Sequence, residues 1–471
     1  VTSPNRVSDR PTATPALLGA LRTAVGTEHV LIDADQRAGY EVDWTGRFRG
    51  AAPAVVRPGS LHEVAAVVAA CRNHGQPLVA QGGNTGLVGG ATPLHGEVVV
   101  SLARLGTVGP VDVAARQVRA EAGATLAAVQ RAAAAHGLRY AVDLGARDSA
   151  TIGGTVATNA GGSNYVRFGG TREQLLGVQA VLGTGDVIDD LAGLGKDNTG
   201  YWLPGLLCGS EGTLGIVTAV QLRLHPRPAE TVTALAAFDS VATAVDTGSR
   251  WGAELDEVEA LELMLADGMD LVCRVTGARL PFVGVAAEAF VLVECAGPPG
   301  AADRLAAQLD GIGGSGVVDL AVATDSSRRA ALWRYREDHT PSIATLGVPH
   351  KVDVTVPLRR LTEFLGGVHA VVAAAAGPGE RAAVWLFGHL GDGNIHVNVT
   401  GVDPEDQRVD DAVLAYVAGL GGSISAEHGI GKAKVGALHL RRSGDELSAM
   451  RAIRAALDPD RVMNPHALLP S

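Results

Sequence analysis

The sequence predicts an α+β protein made of two successive domains, and three observations carry that prediction. From Pro53 onward, short β-branched runs alternate with helix-like segments. The proline-rich stretch His225-Pro226-Arg227-Pro228 interrupts the alternation. Beyond it the alternation starts afresh with TVTALAAF and AFVLVECAG, and helices are expected up to Trp251 and from Ala301. A chain of 471 residues with 46% hydrophobic content is long enough to bury two cores. The expected division is an N-terminal arm and helix over 1–42, a first domain over 43–228, a second over 229–425 and a closing segment over 426–471.

Residues 1 to about 14 are polar and read as a mobile arm, followed by a short helix over Ala16 to Val25. After the strand at Pro53, Ser60 and Glu63 stand at capping-box spacing, and the helix they open runs to Gly75. The strand Pro77 to Ala80 leads into QGGNTGLVGG, residues 81–90. Five glycines in those ten residues leave backbone N–H groups free to turn inward as a nest for phosphate oxygens. The loop lacks the GK[ST] of a Walker motif and is not a GxGxxG opening a helix, and a plain flexible loop remains the alternative. Strands over 97–102 and 118–121 and a helix from Thr125 to near Gly137 follow. The stretch 143–171 combines small residues, hydroxyls and glycine pairs with few apolar side chains, which suits close backbone approach to a flat ligand better than a core. CGSEGTLGIVT, 208–218, repeats the theme, so one extended ligand touched by three separated loops is expected.

The second domain carries the chemistry-bearing pattern WLFGHLGDGNIHVNV, 385–399. Asp392-Gly393 is a preferred two-residue hairpin turn. Closed by Gly391 and Asn394, it sets Leu390 opposite Ile395 and His389 opposite His396, with Cβ atoms roughly 5 Å apart. Asn398 falls on the face of His396. Neutral imidazole is a common metal ligand, although each histidine could instead be a hydrogen-bonded core residue. SISAEHGIGK, 423–432, adds Glu427 and His428. Two histidines and one carboxylate leave coordination positions open, as a catalytic divalent site requires; zinc is expected, with manganese or iron as alternatives. On a helix expected over Ser326 to His339, Arg336 lies four residues before Thr340, on one face; Lys351 and Asp353 alternate on the strand after it. An arginine fork and a lysine suit carboxylate binding, while a solvated charged helix is the plainer alternative.

A net charge of −11 argues against nucleic acid as a partner. Cys71, Cys208, Cys273 and Cys295 form no CxxC pair, no run of 18 apolar residues occurs, and the N-terminus lacks an apolar signal core. A cytoplasmic protein that is not integral to a membrane is therefore expected, and a homodimer is compatible with the sequence without being dictated by it.

The strings QGGNTGLVGG, TIGGTVATNAGG and GSEGTLGIVT resemble the PCMH-type FAD-binding domain of the vanillyl-alcohol oxidase superfamily. GHLGDGNIHVN and ISAEHGIGK resemble its D-2-hydroxy-acid dehydrogenase branch, and the likeness runs from about Asp43 to the end of the chain. It implies two α+β subdomains gripping FAD, an α+β cap, and a tail that returns to the flavin domain at Asn464-Pro465, where His466 departs from the usual glycine. It implies a pyrophosphate at Gly82, Gly83, Asn84, Thr85 and Gly86, and a flavin ring near Ser149, Gly153, Gly154, Asn159, Gly161 and Gly162, with Glu211, Val217 and Asn464 completing the cofactor site. No histidine or cysteine lies in 81–90, so FAD is expected to be non-covalent. The resemblance further implies a metal on His389, His396 and Glu427, His428 as general base, Asn398 on the α-carboxylate, hydride transfer to flavin N5, and release of electrons to an electron-transfer flavoprotein or a quinone. Arg336 with Thr340 and Lys351 resembles the D-2-hydroxyglutarate dehydrogenases and fits a substrate with a distal carboxylate, D-2-hydroxyglutarate or D-malate. Alternatives are a D-lactate or glycolate dehydrogenase or oxidase of the same fold, a flavin-free metallohydrolase, and a catalytically silent flavin subunit.

Overall fold

A computed structural model describes residues 11–255, 257–311 and 316–470. The first ten residues of the expected N-terminal arm lie outside that range. A four-stranded sheet comes first, in the spatial order Val30–Leu31, Val55–Val56, Val98–Ser101, Leu78–Gln81. Val98–Ser101 is buried at every position, as an inner strand of a parallel group must be. The helix Leu61–Asn73 packs into the same core through Val64, Val67, Val68 and Cys71. Its Ser60 cap accepts the Glu63 amide at 3.2 Å, and the Glu63 carboxylate accepts the Gly59 amide at 2.7 Å, one residue before the expected reciprocal partner. A second sheet of five antiparallel strands runs Val108–Asp112, Gln117–Glu121, Gly215–Arg223, Leu175–Leu182, Val187–Asp190. Neither of its two edge strands has a buried residue, which is why they leave no apolar alternation in the sequence.

The third sheet has seven strands: β1 Glu230–Phe238, β2 Val258–Leu265, β3 Ala289–Gly297, β4 Val317–Ala323, β5 His350–Thr355, β6 Ala383–His389 and β7 Asn394–Thr400. They lie in the order β4-β1-β3-β2-β6-β7-β5, every pair antiparallel. Because side chains alternate across a strand, register sorts the residues of β2, β6, β7 and β5 onto two faces. One holds Leu261, Leu263, Leu386, Ile395, Val397, Val352 and Val354, packed in one core with the helices Val241–Glu254, Leu361–Ala375 and Arg408–Gly419. The other presents Glu262, His389, His396, Asn398, Asp353 and Lys351.

Two sequence expectations change here. The hairpin pairs His389 with Asn394 and Phe387 with His396, so the connection is the four residues 390–393 rather than a two-residue turn. Leu390 causes the slip: its amide donates to Leu261 O at 2.7 Å and its side chain is fully buried against Gly248, which takes it out of the ladder. The offset from the expected register is two residues, one full pleat, so both histidines keep their face and become diagonal neighbours with ring centroids 5.4 Å apart. The helix carrying Arg336 ends at Glu337, and Thr340 belongs to a separate helix, His339–Ala344. Pro341 has no N–H to give the Glu337 carbonyl and its ring would clash there, so one continuous helix cannot form.

Gly393 sits at φ +75°, and a Cβ there would lie 2.2 Å from the Val356 carbonyl oxygen. Gly393→Ala is therefore expected to cost about 1–3 kcal/mol, seen as a fall in Tm of roughly 2–10 °C; an unchanged Tm would mean the hairpin loop has no fixed conformation.

Candidate active site

The polar face of the large sheet and the loop 423–432 converge on Glu427. Its Oε1 lies 3.7 Å from His389 Nε2, 3.8 Å from His396 Nε2 and 3.9 Å from His428 Nε2. Its Oε2 accepts the Gly162 amide at 3.1 Å, which ties the cluster to the first domain. Behind each sheet histidine stands a fully buried carboxylate. Glu262 Oε1 is 2.6 Å from His389 Nδ1, and Asp353 Oδ1 is 3.2 Å from His396 Nδ1. A carboxylate on the rear nitrogen fixes the ring and presents the front nitrogen as a donor. Ligands on one tetrahedral ion at about 2.0–2.2 Å are roughly 3.3–3.6 Å apart, so the front nitrogens and Glu427 fit a divalent ion after small adjustment. A different foursome, Asp353, His396, Glu427 and His428, also has donor atoms all within 4.8 Å. Asp353 is already occupied there: Oδ2 accepts the amides of Ala426, Glu427 and His428 at 2.8–3.1 Å, and Oδ1 accepts Asn394 Nδ2 at 2.7 Å. It orients the site from behind.

Charge follows this geometry. Burial opposes ionisation of Glu262, but His389 and Arg336 outweigh it and hold the carboxyl down at about 2. Burial likewise opposes the charge of Glu427, yet its histidine neighbours, His389 foremost, bring it to about 2. His389 is pushed well above the ordinary histidine value, because Glu262 and Glu427 overcome its burial. His428 goes the other way, to about 4, chiefly through burial. It is therefore a neutral imidazole, and its Nδ1 is buried without a hydrogen-bond partner.

On the first-domain side of Glu427 lies a cleft of about 330 Å³ lined by the three glycine-rich stretches. Gly82, Gly83, Asn84, Thr85, Gly86, Gly154, Gly161 and Glu211 all line it. A Cβ on Gly82 would meet Thr151 Oγ1 at 2.1 Å and one on Gly83 would meet Ser149 O at 1.8 Å, while Gly86 has open space beside it. Thr151 Oγ1 is buried in that lining with no protein partner, so the cleft has an unspent polar group as well as bare backbone for a ligand. Six other expected cofactor residues lie outside the lining, two of them, Ser149 and Gly162, in the wall of an adjoining cavity and four engaged within the protein. Gly153 packs against Ala122, where a Cβ would come within 2.6 Å. Asn159 ends its helix in the left-handed conformation and accepts the Arg172 amide. Val217 pairs with Ala180 inside the five-stranded sheet. Asn464 ties the tail to the first and third loops, donating to Gly90 O at 2.9 Å and Glu211 O at 3.0 Å. The Glu211 carboxylate caps the amides of Ile430 and Gly431 at 2.8 and 2.6 Å.

A larger cavity of about 820 Å³ adjoins on the other side, and both cavities share Glu427 and His428 in their walls. Ser149 and Gly162 line this second space, with Arg336, Thr340, Lys351 and Asn398. Arg336 Nε donates to Glu262 Oε2 at 2.6 Å and its guanidinium lies 4.6 Å over the Phe387 ring, so one edge of the fork is committed to the protein. Sequence reasoning missed Glu262 and the supporting part of Asp353. An acidic residue in the middle of an apolar strand, as in VEALELML, is the signal that was available.

This is the site of a flavoprotein oxidoreductase, and the chain belongs to the FAD-linked oxidase family. Residues 227–468 match the model of the FAD linked oxidases, C-terminal domain, and residues 52–190 that of the FAD binding domain. Among curated proteins it resembles the mitochondrial D-2-hydroxyglutarate dehydrogenase of Bos taurus, 36% identical over 94% of this chain and 81% of the relative. It also resembles the D-2-hydroxyglutarate dehydrogenase of Xanthomonas citri pv. viticola, 36% identical over 91% and 92% respectively. Among solved structures, 4-ethylphenol oxidase from Gulosibacter chungangensis superposes with a TM-score of 0.76 over 97% of both chains at 16% identity, a likeness of fold. The chain is thus an FAD-dependent D-2-hydroxy-acid dehydrogenase, which removes the flavin-free hydrolase. The cytoplasmic expectation is corrected: relatives such as the Bos taurus enzyme are mitochondrial. Among the described residues no helix is long and apolar enough to cross a membrane.

Glu262 gives a pH dependence with a defined sign. Its carboxyl titrates lower in the fold than its ordinary 4.5, so its contribution to stability is complete above about 4.5 and is lost as pH falls toward about 2. Tm measured against pH should therefore fall across that window, and Glu262→Gln should flatten the fall; an identical acid limb in the variant would show that Glu262 is not held charged.

Proposed function

We propose that the protein oxidises D-2-hydroxyglutarate, or a closely related D-2-hydroxy diacid such as D-malate, to the 2-oxo acid with assistance from a divalent metal, zinc foremost. One observation carries the reading: Glu427 and His428 stand in the shared wall of two cavities, one fit for a flavin and one that presents Arg336, Lys351 and Asn398. When bound, FAD in non-covalent form supplies the hydride acceptor and the ion supplies a Lewis acid that acidifies the substrate hydroxyl. His389, His396 and Glu427 hold the ion, with Glu262 and Asp353 fixing the two imidazoles. His428, neutral and free to accept, takes the hydroxyl proton at Nε2, the nitrogen facing Glu427. Asn398 Nδ2, whose one hydrogen bond among the described residues is a long 3.5 Å approach to His396 O, donates to the α-carboxylate. Lys351 takes the distal carboxylate, with the uncommitted edge of Arg336 and the Thr340 hydroxyl beside it. Electrons then leave to an electron-transfer flavoprotein or a quinone.

The assay is anaerobic bleaching of the flavin by a series of D-2-hydroxy acids. D-2-hydroxyglutarate should be the best substrate, and a preference for D-lactate or glycolate would overturn the diacid assignment. Losing a charge-assisted hydrogen bond costs roughly 1.5–3 kcal/mol, so Lys351→Met should lower kcat/KM for the diacid about ten- to more than a hundredfold while hardly changing D-lactate. For the metal, a chelator should abolish turnover with the flavin still bound, zinc or manganese should restore it, and Glu262→Gln should weaken metal affinity about 10–100-fold. Full activity of the chelated enzyme would leave the histidines a structural role.

A further inference from the structure

Lys351 is the cation of the larger cavity with the least protein support. Among the described residues no carboxylate lies within 4.0 Å of its Nζ and it donates no hydrogen bond; it faces the indole of Trp44, 4.7 Å from the ring centroid. Burial lowers its pKa to about 8, with the charge of Asp43 opposing the fall. Trp44 lines the same cavity although 59% exposed, which puts it at the mouth. It comes from the first domain, on a turn closed by the Gly46 amide on Asp43 O at 3.1 Å and the Phe48 amide on Asp43 Oδ1 at 3.0 Å.

That turn is pinned on two sides. Toward the flavin cleft, Asn84 Nδ2 donates to Val42 O at 2.7 Å, and Phe48 packs so tightly on Gly89 that a Cβ there would come within 2.8 Å of the ring. Toward the large sheet, Arg47 Nη2 pairs with Asp410 Oδ2 at 2.8 Å, and the other oxygen of Asp410 holds Nδ1 of His350, the neighbour of Lys351 in β5, at 2.9 Å. Both nitrogens of His350 face acceptors, Asp410 and the Asp403 carbonyl, so the ring is satisfied as the imidazolium. An exposed tryptophan held from both domains over an unpaired, half-buried ammonium is costly as mere surface decoration.

We infer that Trp44 is a positioning residue that sets specificity for 2-hydroxy acids with a second carboxylate: its ring holds the Lys351 ammonium at the cavity mouth, where the distal acid arrives. The inference rests on the proposal that Lys351 binds that distal group. A ring face stabilises an ammonium without neutralising it, so the charge stays available to the substrate, which a carboxylate partner would prevent. Because the same turn is bonded to the loop carrying Asn84, diacid recognition is built onto the wall of the flavin cleft.

The test is the ratio of kcat/KM for D-2-hydroxyglutarate to that for D-lactate, by anaerobic flavin reduction of flavin-loaded enzyme. Trp44→Ala should lower the ratio about two- to thirtyfold, mostly through KM for the diacid, and Trp44→Phe should recover part of the loss because a weaker ring face remains. In a Lys351→Met background Trp44→Ala should add nothing, since the ring acts only through the ammonium. Equal losses on both substrates, or the same loss of ratio with Lys351 absent, would overturn the inference. The underlying proposal is judged separately by Lys351→Met alone. If that variant keeps the ratio, the proposal fails and the inference with it; if it lowers the ratio and Trp44→Ala does not, the inference alone fails.

Discussion

Asp353 is the knot of the active site. One of its oxygens accepts three successive backbone amides, 426–428, and the other meets Asn394 and His396. A carboxylate inside a ring of N–H donors stays ionised in spite of full burial, and the pKa of Asp353 is accordingly held well below the carboxylate range, with burial opposed by His428, His396 and Lys434. The loop bearing Glu427 and His428 has no regular secondary structure of its own at these positions. On the sheet side it is held by that one side chain, aided by Lys434 Nζ donating to the Asp353 and Ile424 carbonyls at 3.1 and 2.8 Å. Without the carboxylate, three buried amides would lose their acceptor, a cost of roughly 1–3 kcal/mol each, and the loop would have no reason to keep its two functional residues against the histidines.

The sheet supplies the other half of the geometry through period two alone. Leu386, Ile395, Val397, Val352 and Val354 must face the core, so the residues between them must face away from it, and those are His396, Asn398, Asp353 and Lys351. This is why the histidine pair was legible in the sequence even though the hairpin register was not. A slip of one residue would have put the two histidines on opposite faces and one of them in the core; the actual slip of two left the face unchanged. The turn itself was misread because Asp392-Gly393 is a strong local signal, and the opposing one, a fully buried Leu390 bonded to Leu261, is a tertiary contact. The break at Asp338 was legible in Pro341 and outweighed by the charge pattern around it. Glu262 was hidden for a different reason: its two partners, His389 and Arg336, are 127 and 74 residues away. The flavin loops were legible as glycine-rich strings, but which of their residues line the cleft was not. Gly153, Asn159 and Asn464 do their work on protein backbone and packing, and a string cannot separate that from contact with a ligand.

The two domains are joined where the chemistry is. Glu427 Oε2 holds the Gly162 amide of the flavin side while Oε1 faces the histidines of the sheet side. Glu211 of the third glycine-rich loop caps Ile430 and Gly431, only a few residues on. Lys432 closes the same segment onto Glu97 at 2.6 Å in a nearly fully buried ion pair. A buried pair of this kind is a weak source of net stability, but breaking it leaves an uncompensated charge, so it penalises any other docking of the segment. The loop that carries the proposed metal ligand and base is thus positioned by both domains.

The cations of the larger cavity divide by the same reasoning. Arg336 lies beside a buried carboxylate, Glu262, that must stay charged to orient His389, and at 2.6 Å it is the natural counter-ion. Its charge is therefore largely spent inside the protein and belongs to the support of the histidine. Lys351, two residues before Asp353 on the same face, has no such claim on it, because Asp353 is satisfied by its own amides, by Asn394 and by His396. A fully ligated Asp353 thus has two effects: it fixes the catalytic loop, and it leaves the neighbouring ammonium unpaired for a substrate anion. The proposed selectivity for a second carboxylate would then follow from how the buried acids are ligated, as much as from the shape of the cavity.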